Sequence, residues 1–215
     1  MRLPKIKSTI RDQVYAILRD RICSGYYERG SWLLEQEICD DLGVSRSPVR
    51  EAVRQLVADG LLVSVPNKGS YIRTFTERDI DEIFEVRVML EEYGIEASLR
   101  TMTEADVKRL QKLSEAFRRT FRINDMKSYV EADEELHDML VDFCRNGLIA
   151  SIYEHVRALN QQFRVTSLSS NTRFGDSVEE HCAIIENVLK GDIAEAKRVN
   201  RSHLLLAATT IKEAL

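Results

Sequence analysis

The segment Leu42-Gly43-Val44-Ser45-Arg46-Ser47-Pro48-Val49-Arg50-Glu51-Ala52 constrains this chain more than any other stretch. Gly43 supplies a permissive backbone for a tight turn. Ser45 or Ser47 can then cap a new helix through a side-chain oxygen, with Pro48 in the first turn, where a missing N–H does no harm. Beyond the turn, Val49, Ala52, Val53, Leu56 and Val57 recur on one helical face while Arg46, Arg50 and Arg54 share another. One face packs, and the other presents arginines one turn apart, as a DNA-reading helix does.

The flanking residues extend this unit in both directions. Ile10, Val14, Ile17, Leu18 and Ile22 predict an amphipathic helix from Ser8 to about Ser24, closed by Gly25. Glu35 to Asp41 reads as a short helix with Ile38 and Leu42 turned inward. The arginine-bearing helix runs from Ser45 to Asp59 and stops at Gly60. Two β-prone runs follow, Leu61 to Val65 and Ser70 to Phe75, separated by Pro66-Asn67-Lys68-Gly69. A two-stranded hairpin directly after a recognition helix is a wing, and its tip carries Lys68 and Gly69, small and basic enough to meet a phosphate. Residues 1–75 therefore predict a winged helix-turn-helix domain.

From Glu77 onward the pattern is helical throughout, so the chain as a whole reads as mainly α. The predicted segments are Glu77 to Arg100, Glu104 to Ile123, Asp125 to Cys144, Gly147 to Leu168, Phe174 to Lys190, and Asp192 to the end. Thr103 with Asp106, and Asp192 with Glu195, have capping-box spacing, and the polar stretch Ser167 to Thr172 reads as a loop. About six helices over residues 76–215 make an all-α bundle of their own. The net charge of −4 is unevenly spread. The first 75 residues hold 12 basic against 9 acidic residues and the remainder 19 against 26, so any attraction to phosphate is local. Cys23, Cys39, Cys144 and Cys182 are scattered without a C-x-x-C pair and read as reduced packing residues. No apolar run is long enough to cross a bilayer and the N-terminus lacks a signal-peptide core, so no membrane partner and a cytoplasmic location are expected.

All four histidines, His137, His155, His181 and His203, lie in the helical half. Asp133 and His137 are at i and i+4 and project from one face of a helix, the spacing by which helical bundles hold a metal. About ten residues separate His181 from the Gly191 turn and about twelve separate the turn from His203, so an antiparallel pair brings them level. Such a nitrogen and oxygen set suits a divalent ion such as zinc, nickel or manganese, among which ligand type alone does not choose, with an open position for a carboxylate. Spacing alone leaves scattered core or surface histidines equally open. Arg87 falls in register with Ile80, Ile83, Phe84, Leu90 and Gly94 on a stripe that faces inward. Its guanidinium can pair with Glu91 four residues on, anchor an anionic effector, or do both.

Gly30-Ser-Trp-Leu-Leu-Glu35, the run Leu42 to Ala52, Leu56 with Asp59-Gly60-Leu61, and Gly69 together resemble the GntR family of bacterial transcription regulators. The downstream half resembles the FCD effector domain of the FadR-type branch, closest to the VanR-like subgroup because six helical segments are predicted rather than seven. The resemblance implies that Asp133, His137, His181 and His203 hold a metal in the ligand cavity. It implies DNA reading by Arg46 and Arg50, with backbone contacts from Ser45, Ser47, Lys68 and Gly69. Some relatives carry a further DNA-contacting arginine where this chain has Gln36.

The resulting expectation is a homodimeric regulator, a repressor by family analogy, that binds double-stranded DNA at a palindromic operator and responds to a small carboxylate at the metal site. Residues 76–215 would carry both effector binding and dimerisation, with Arg87 on the effector. No enzymatic activity is expected. The rivals are a metal sensor without organic ligand, a metal-dependent hydrolase and a structural DNA-binding protein.

Overall fold

A computed structural model describes residues 8–161, 163, 167 and 171–215. The chain divides between Phe75 and Thr76 into two compact units. In the first, helix α1 (Ile10–Cys23) is opened by Thr9, whose hydroxyl accepts from the Asp12 amide while the Asp12 carboxylate accepts from Thr9 N–H. Strand β1 (Trp32–Leu33), α2 (Glu35–Leu42), α3 (Arg46–Ala58), β2 (Leu62–Val65) and β3 (Gly69–Ile72) follow. α1 packs on α3 around Val14, Leu18, Val49, Ala52 and Leu56, all buried. Tyr15 Oη donates to the Asp59 carboxylate at 2.7 Å and ties α1 to the end of α3.

Gly43 adopts φ 63° after α2, which lets the chain turn abruptly into α3. α3 ends in a Schellman arrangement: Gly60 N–H reaches the Val57 carbonyl at 3.0 Å and Leu61 N–H the Leu56 carbonyl at 3.0 Å. The wing differs from the expected two-stranded hairpin. β1 joins as a third strand in the antiparallel order β1-β3-β2, with Trp32 opposite Tyr71 and Val65 opposite Gly69. Two residues are too few to display the alternation by which a strand is recognised. β3 also stops at Ile72, short of the expected Phe75.

The second unit consists, among the described residues, of α4 (Glu77–Thr101), α5 (Glu104–Arg122), α6 (Met126–Asp142), α7 (Gly147–Gln161), α8 (Asn171–Lys190) and α9 (Ile193–Glu213). α4 packs against α6, α7 and α9, and α5 against α6 and α8. Leu110, Phe117, Tyr129, Leu136, Leu140 and Ile184 fill the space between them. Gly94 is required where α4 crosses α6, since a Cβ there would overlap the Leu140 carbonyl.

The predicted Thr103/Asp106 capping box forms. The Asp192/Glu195 box is only half made: Asp192 accepts from Glu195 N–H, whereas the Glu195 carboxylate turns to Arg198. α8 starts at Asn171, three residues before the expected Phe174. The helix expected to reach Leu168 is described to Gln161; residues 162, 164–166 and 168 lie outside the described set.

Candidate functional site

Asp133 and His137 leave α6 one turn apart, His181 comes from α8, and His203 from α9 across the Gly191 turn. Their donor atoms all lie within 4.8 Å of one another. His181 Nε2 is 3.3 Å from His137 Nε2, 3.2 Å from His203 Nε2 and 3.2 Å from Asp133 Oδ1. A tetrahedral zinc with bonds of about 2.0–2.1 Å separates its donors by roughly 3.4 Å, so this set fits a small divalent ion. The three imidazoles are buried and Asp133 is half-buried. His155 is exposed on α7 and takes no part.

Each imidazole has a partner on its outer nitrogen, which leaves Nε2 pointing inward. His137 Nδ1 lies 2.8 Å from Glu91 Oε2, and His203 Nδ1 lies 2.6 Å from Glu180 Oε2. His181 Nδ1 lies 2.9 Å from Tyr129 Oη, whose proton goes to Ser177 Oγ at 2.6 Å. Carboxylate and hydroxyl acceptors at Nδ1 favour the tautomer whose Nε2 lone pair is free to ligate. Burial, helped by the neighbouring imidazoles, holds His181 well below the usual histidine range. Burial likewise lowers His203 to about 4, against the opposing pull of Glu180. Both are therefore neutral at pH 7, as ligands must be.

Glu91 is the hub behind this cluster. Its carboxylate accepts from Arg87 Nε at 3.1 Å and from Tyr153 Oη at 3.1 Å besides contacting His137. Burial pushes its carboxyl upward, but its interactions with His137 and Arg87 outweigh that and hold it below the usual carboxylate range. Arg87 thus forms the internal pair anticipated from spacing, yet its buried Nη2 has no hydrogen-bond partner among the described residues. Arg87 also lines a cavity together with Asp133, His137, Asn160, Ser177 and His203.

Glu91 was visible in the sequence only as a helical neighbour of Arg87; its reach to His137 on another helix has no signal in spacing. Glu180 and Tyr129 were not anticipated at all. Adjacent helical residues such as Glu180 and His181 project about 100° apart, so their convergence on one centre through His203 depends on the packing of α9.

In the first unit, Ser45, Arg46, Ser47 and Arg50 are exposed at the start of α3, and Lys68 and Gly69 are exposed at the wing tip. The tip is a turn with Pro66 followed by Asn67 at φ 62°, closed by Lys68 N–H on the Val65 carbonyl at 3.1 Å. Ser45 sits at the N-cap of α3 but makes no side-chain cap bond, and Ser47 lies inside the helix. The third helical residue is Pro48, which removes one of the two amides that an N-cap side chain can bind. The Ser45 hydroxyl and the open amides of the first turn are left for another acceptor or anion.

Among the described residues, a winged unit of three helices is followed by a bundle of six helices with an internal histidine cluster, the architecture of a winged helix-turn-helix regulator. Residues 10–72 match the description "Bacterial regulatory proteins, gntR family", and residues 82–206 match the FCD domain. The chain belongs to the GntR family of transcription regulators, and its helical half is an FCD domain. It is 31% identical over 192 residues to the HTH-type transcriptional regulator YdhC of Bacillus subtilis, covering 89% of this chain and 86% of that protein. The gluconate operon transcriptional repressor of the same organism is 29% identical over 170 residues, 79% of this chain and 69% of the repressor.

Among solved structures, a GntR regulator from Rhodococcus sp. RHA1 superposes with TM-score 0.79 at 25% identity, over 97% of this chain and 100% of that one. The Zn2+-bound FCD domain of TM0439 matches with TM-score 0.53 at 24% identity, over 66% of this chain and 97% of that one. This last likeness concerns the fold. No helix among the described residues is long and apolar enough to cross a membrane.

Proposed function

We propose that the chain is a homodimeric repressor whose hold on a palindromic operator is governed by a small carboxylate bound at a divalent metal in the FCD domain. The observation that carries this reading is the convergence of three Nε2 atoms and Asp133 Oδ1 on one point, each imidazole oriented from behind. Asp133, His137, His181 and His203 would hold the ion, and zinc fits the donor set best, with nickel and manganese accommodated. A zinc-bound FCD domain among the structural relatives supports the choice. When bound, the ion supplies a positive charge and an open position for a carboxylate oxygen.

Arg87 Nη2 donates a hydrogen bond to the second oxygen, while Glu91 keeps the guanidinium in place. Burial of the cavity walls strengthens both interactions by excluding water. The described cavity is only about 20 Å³, room for about one water, so the acid's carbon chain requires the pocket to widen. The acid regulates only if it binds the DNA-competent and DNA-incompetent dimer with different affinity. On the DNA side, Arg46 and Arg50 enter the major groove, where arginine pairs bidentately with guanine. Ser45, Ser47, Lys68 and Gly69 contact phosphates and set the register. The repressor sign rests on the gluconate operon repressor among the relatives.

Elemental analysis of the purified protein, followed by thermal-shift titration with carboxylates before and after chelation, tests this. One bound divalent ion per chain and a stabilising acid whose effect vanishes with chelator are expected. A metal-free protein that no divalent ion stabilises would refute the site.

A further inference from the structure

Two of the three exposed arginines of α3, Arg46 and Arg50, are not free on the surface. Each is held by one of two consecutive residues at the start of α2. Glu35 Oε2 accepts from Arg50 Nε at 2.9 Å. Gln36 Oε1 accepts from Arg46 Nε at 3.1 Å and from Arg46 Nη2 at 2.6 Å. Gln36 is fixed in turn, its Nε2 donating to Asp40 Oδ1 one turn along α2 at 2.8 Å.

These contacts do little for stability. The side chains of Arg50 and Glu35 are 57% and 37% exposed, and pairs in that much water contribute little because screening and side-chain entropy offset them. Their effect is on orientation. A guanidinium offers a flat fork of five donors, and two edges can meet a guanine: the side edge of Nε and one Nη, or the end edge of both Nη atoms. In both arginines Nε is taken from the α2 side, so the side edge is closed and the end edge remains.

We propose that Glu35 and Gln36 are specificity-determining positioning residues, which hold Arg50 and Arg46 so that each presents only its Nη1/Nη2 edge to a guanine of the operator. The proposal rests on the reading that Arg46 and Arg50 contact bases. A fixed fork discriminates better than a mobile one. A flexible arginine swings to a phosphate or a neighbouring acceptor when the guanine is replaced, whereas a held one loses both bonds. This assigns a role to Gln36: it steadies Arg46 from the α2 side.

The test uses the full-length protein. Operators are selected from a random duplex library, and affinities are then measured for the best sequence, for single base-pair replacements in each half-site, and for unrelated duplex. Glu35→Ala is expected to reduce discrimination about tenfold at the base pair read by Arg50, and Gln36→Ala by a similar factor at the pair read by Arg46. Affinity for unrelated duplex and the thermal midpoint should change little. A uniform change in affinity with base preference intact would overturn the positioning role, marking Glu35 as a competitor for Arg50 or as a helix-capping residue. Arg46→Ala and Arg50→Ala distinguish the two levels. If those variants lose base preference while Glu35→Ala and Gln36→Ala keep it, the arginines read DNA without the clamp. If they also keep it, the arginine reading itself fails.

Discussion

Glu91→Gln separates the two jobs assigned to the hub of the helical domain. The side chain is buried on α4, Arg87 beside it is only 4% exposed, and the carboxylate contacts Arg87, His137 and Tyr153 at once. Substituting the amide keeps the volume but leaves the Arg87 charge without its counter-ion, and breaking a buried pair from one side costs about 3–5 kcal/mol. Because the amide oxygen can still accept one bond, the lower end, about 3 kcal/mol, is expected. For a domain of this size that lowers the thermal midpoint by roughly 10 °C.

Glu91→Gln also weakens the acceptor that orients His137, and loss of such a partner typically reduces metal affinity about 10- to 100-fold. Calorimetric unfolding of the chelated protein reads the first effect, and competition against a chromogenic chelator reads the second. Combining Arg87→Met with Glu91→Leu removes both charges, so stability should return to near the starting value while metal affinity stays low. If Glu91→Gln left the midpoint within about 2 °C and metal affinity within about threefold, the reasoning about this hub would be wrong.

Tyr129→Phe removes the acceptor at His181 Nδ1 and should weaken metal binding in the same competition assay. Gly94→Ala forces a methyl against the Leu140 carbonyl where two helix backbones cross, so a loss of about 1–3 kcal/mol or more is expected by denaturant titration. The histidine shifts predict a pH dependence for the chelated protein. His203 binds its proton only near pH 4 when folded, whereas the unfolded chain takes it up near 6.5. Stability should therefore fall as pH drops from about 6.5 toward 4 and level off below, with His181 adding in the same direction. A flat midpoint across that window, measured by thermal melts, would contradict the buried neutral state.

The winged unit was legible because local chemistry writes it: Gly43 and Gly60 both occupy left-handed conformations at the two ends where the sequence placed turns. β1 has no signal because two residues carry no period, and of the two serines that could cap α3, Ser45 takes the N-cap position without a side-chain cap bond, because the missing Pro48 N–H matters to the cap even though it does no harm to the helix. In the helical half, capping at Thr103 and the inward stripe through Arg87 could be read from spacing. The convergence of His181 with His137 depends on how α6 meets α8, which no local pattern encodes. The same holds for Glu91, Glu180 and Tyr129, whose roles exist only across helix interfaces.

The central claim joins the metal cluster to DNA release. Fluorescence anisotropy of a labelled operator, titrated with small carboxylates before and after chelation, tests it most directly. At least one acid should lower operator affinity several-fold in the metal-loaded protein and have no effect once the ion is removed or His181→Ala is introduced. Operator affinity indifferent to every acid, or an acid response that survives both chelation and His181→Ala, would contradict the account.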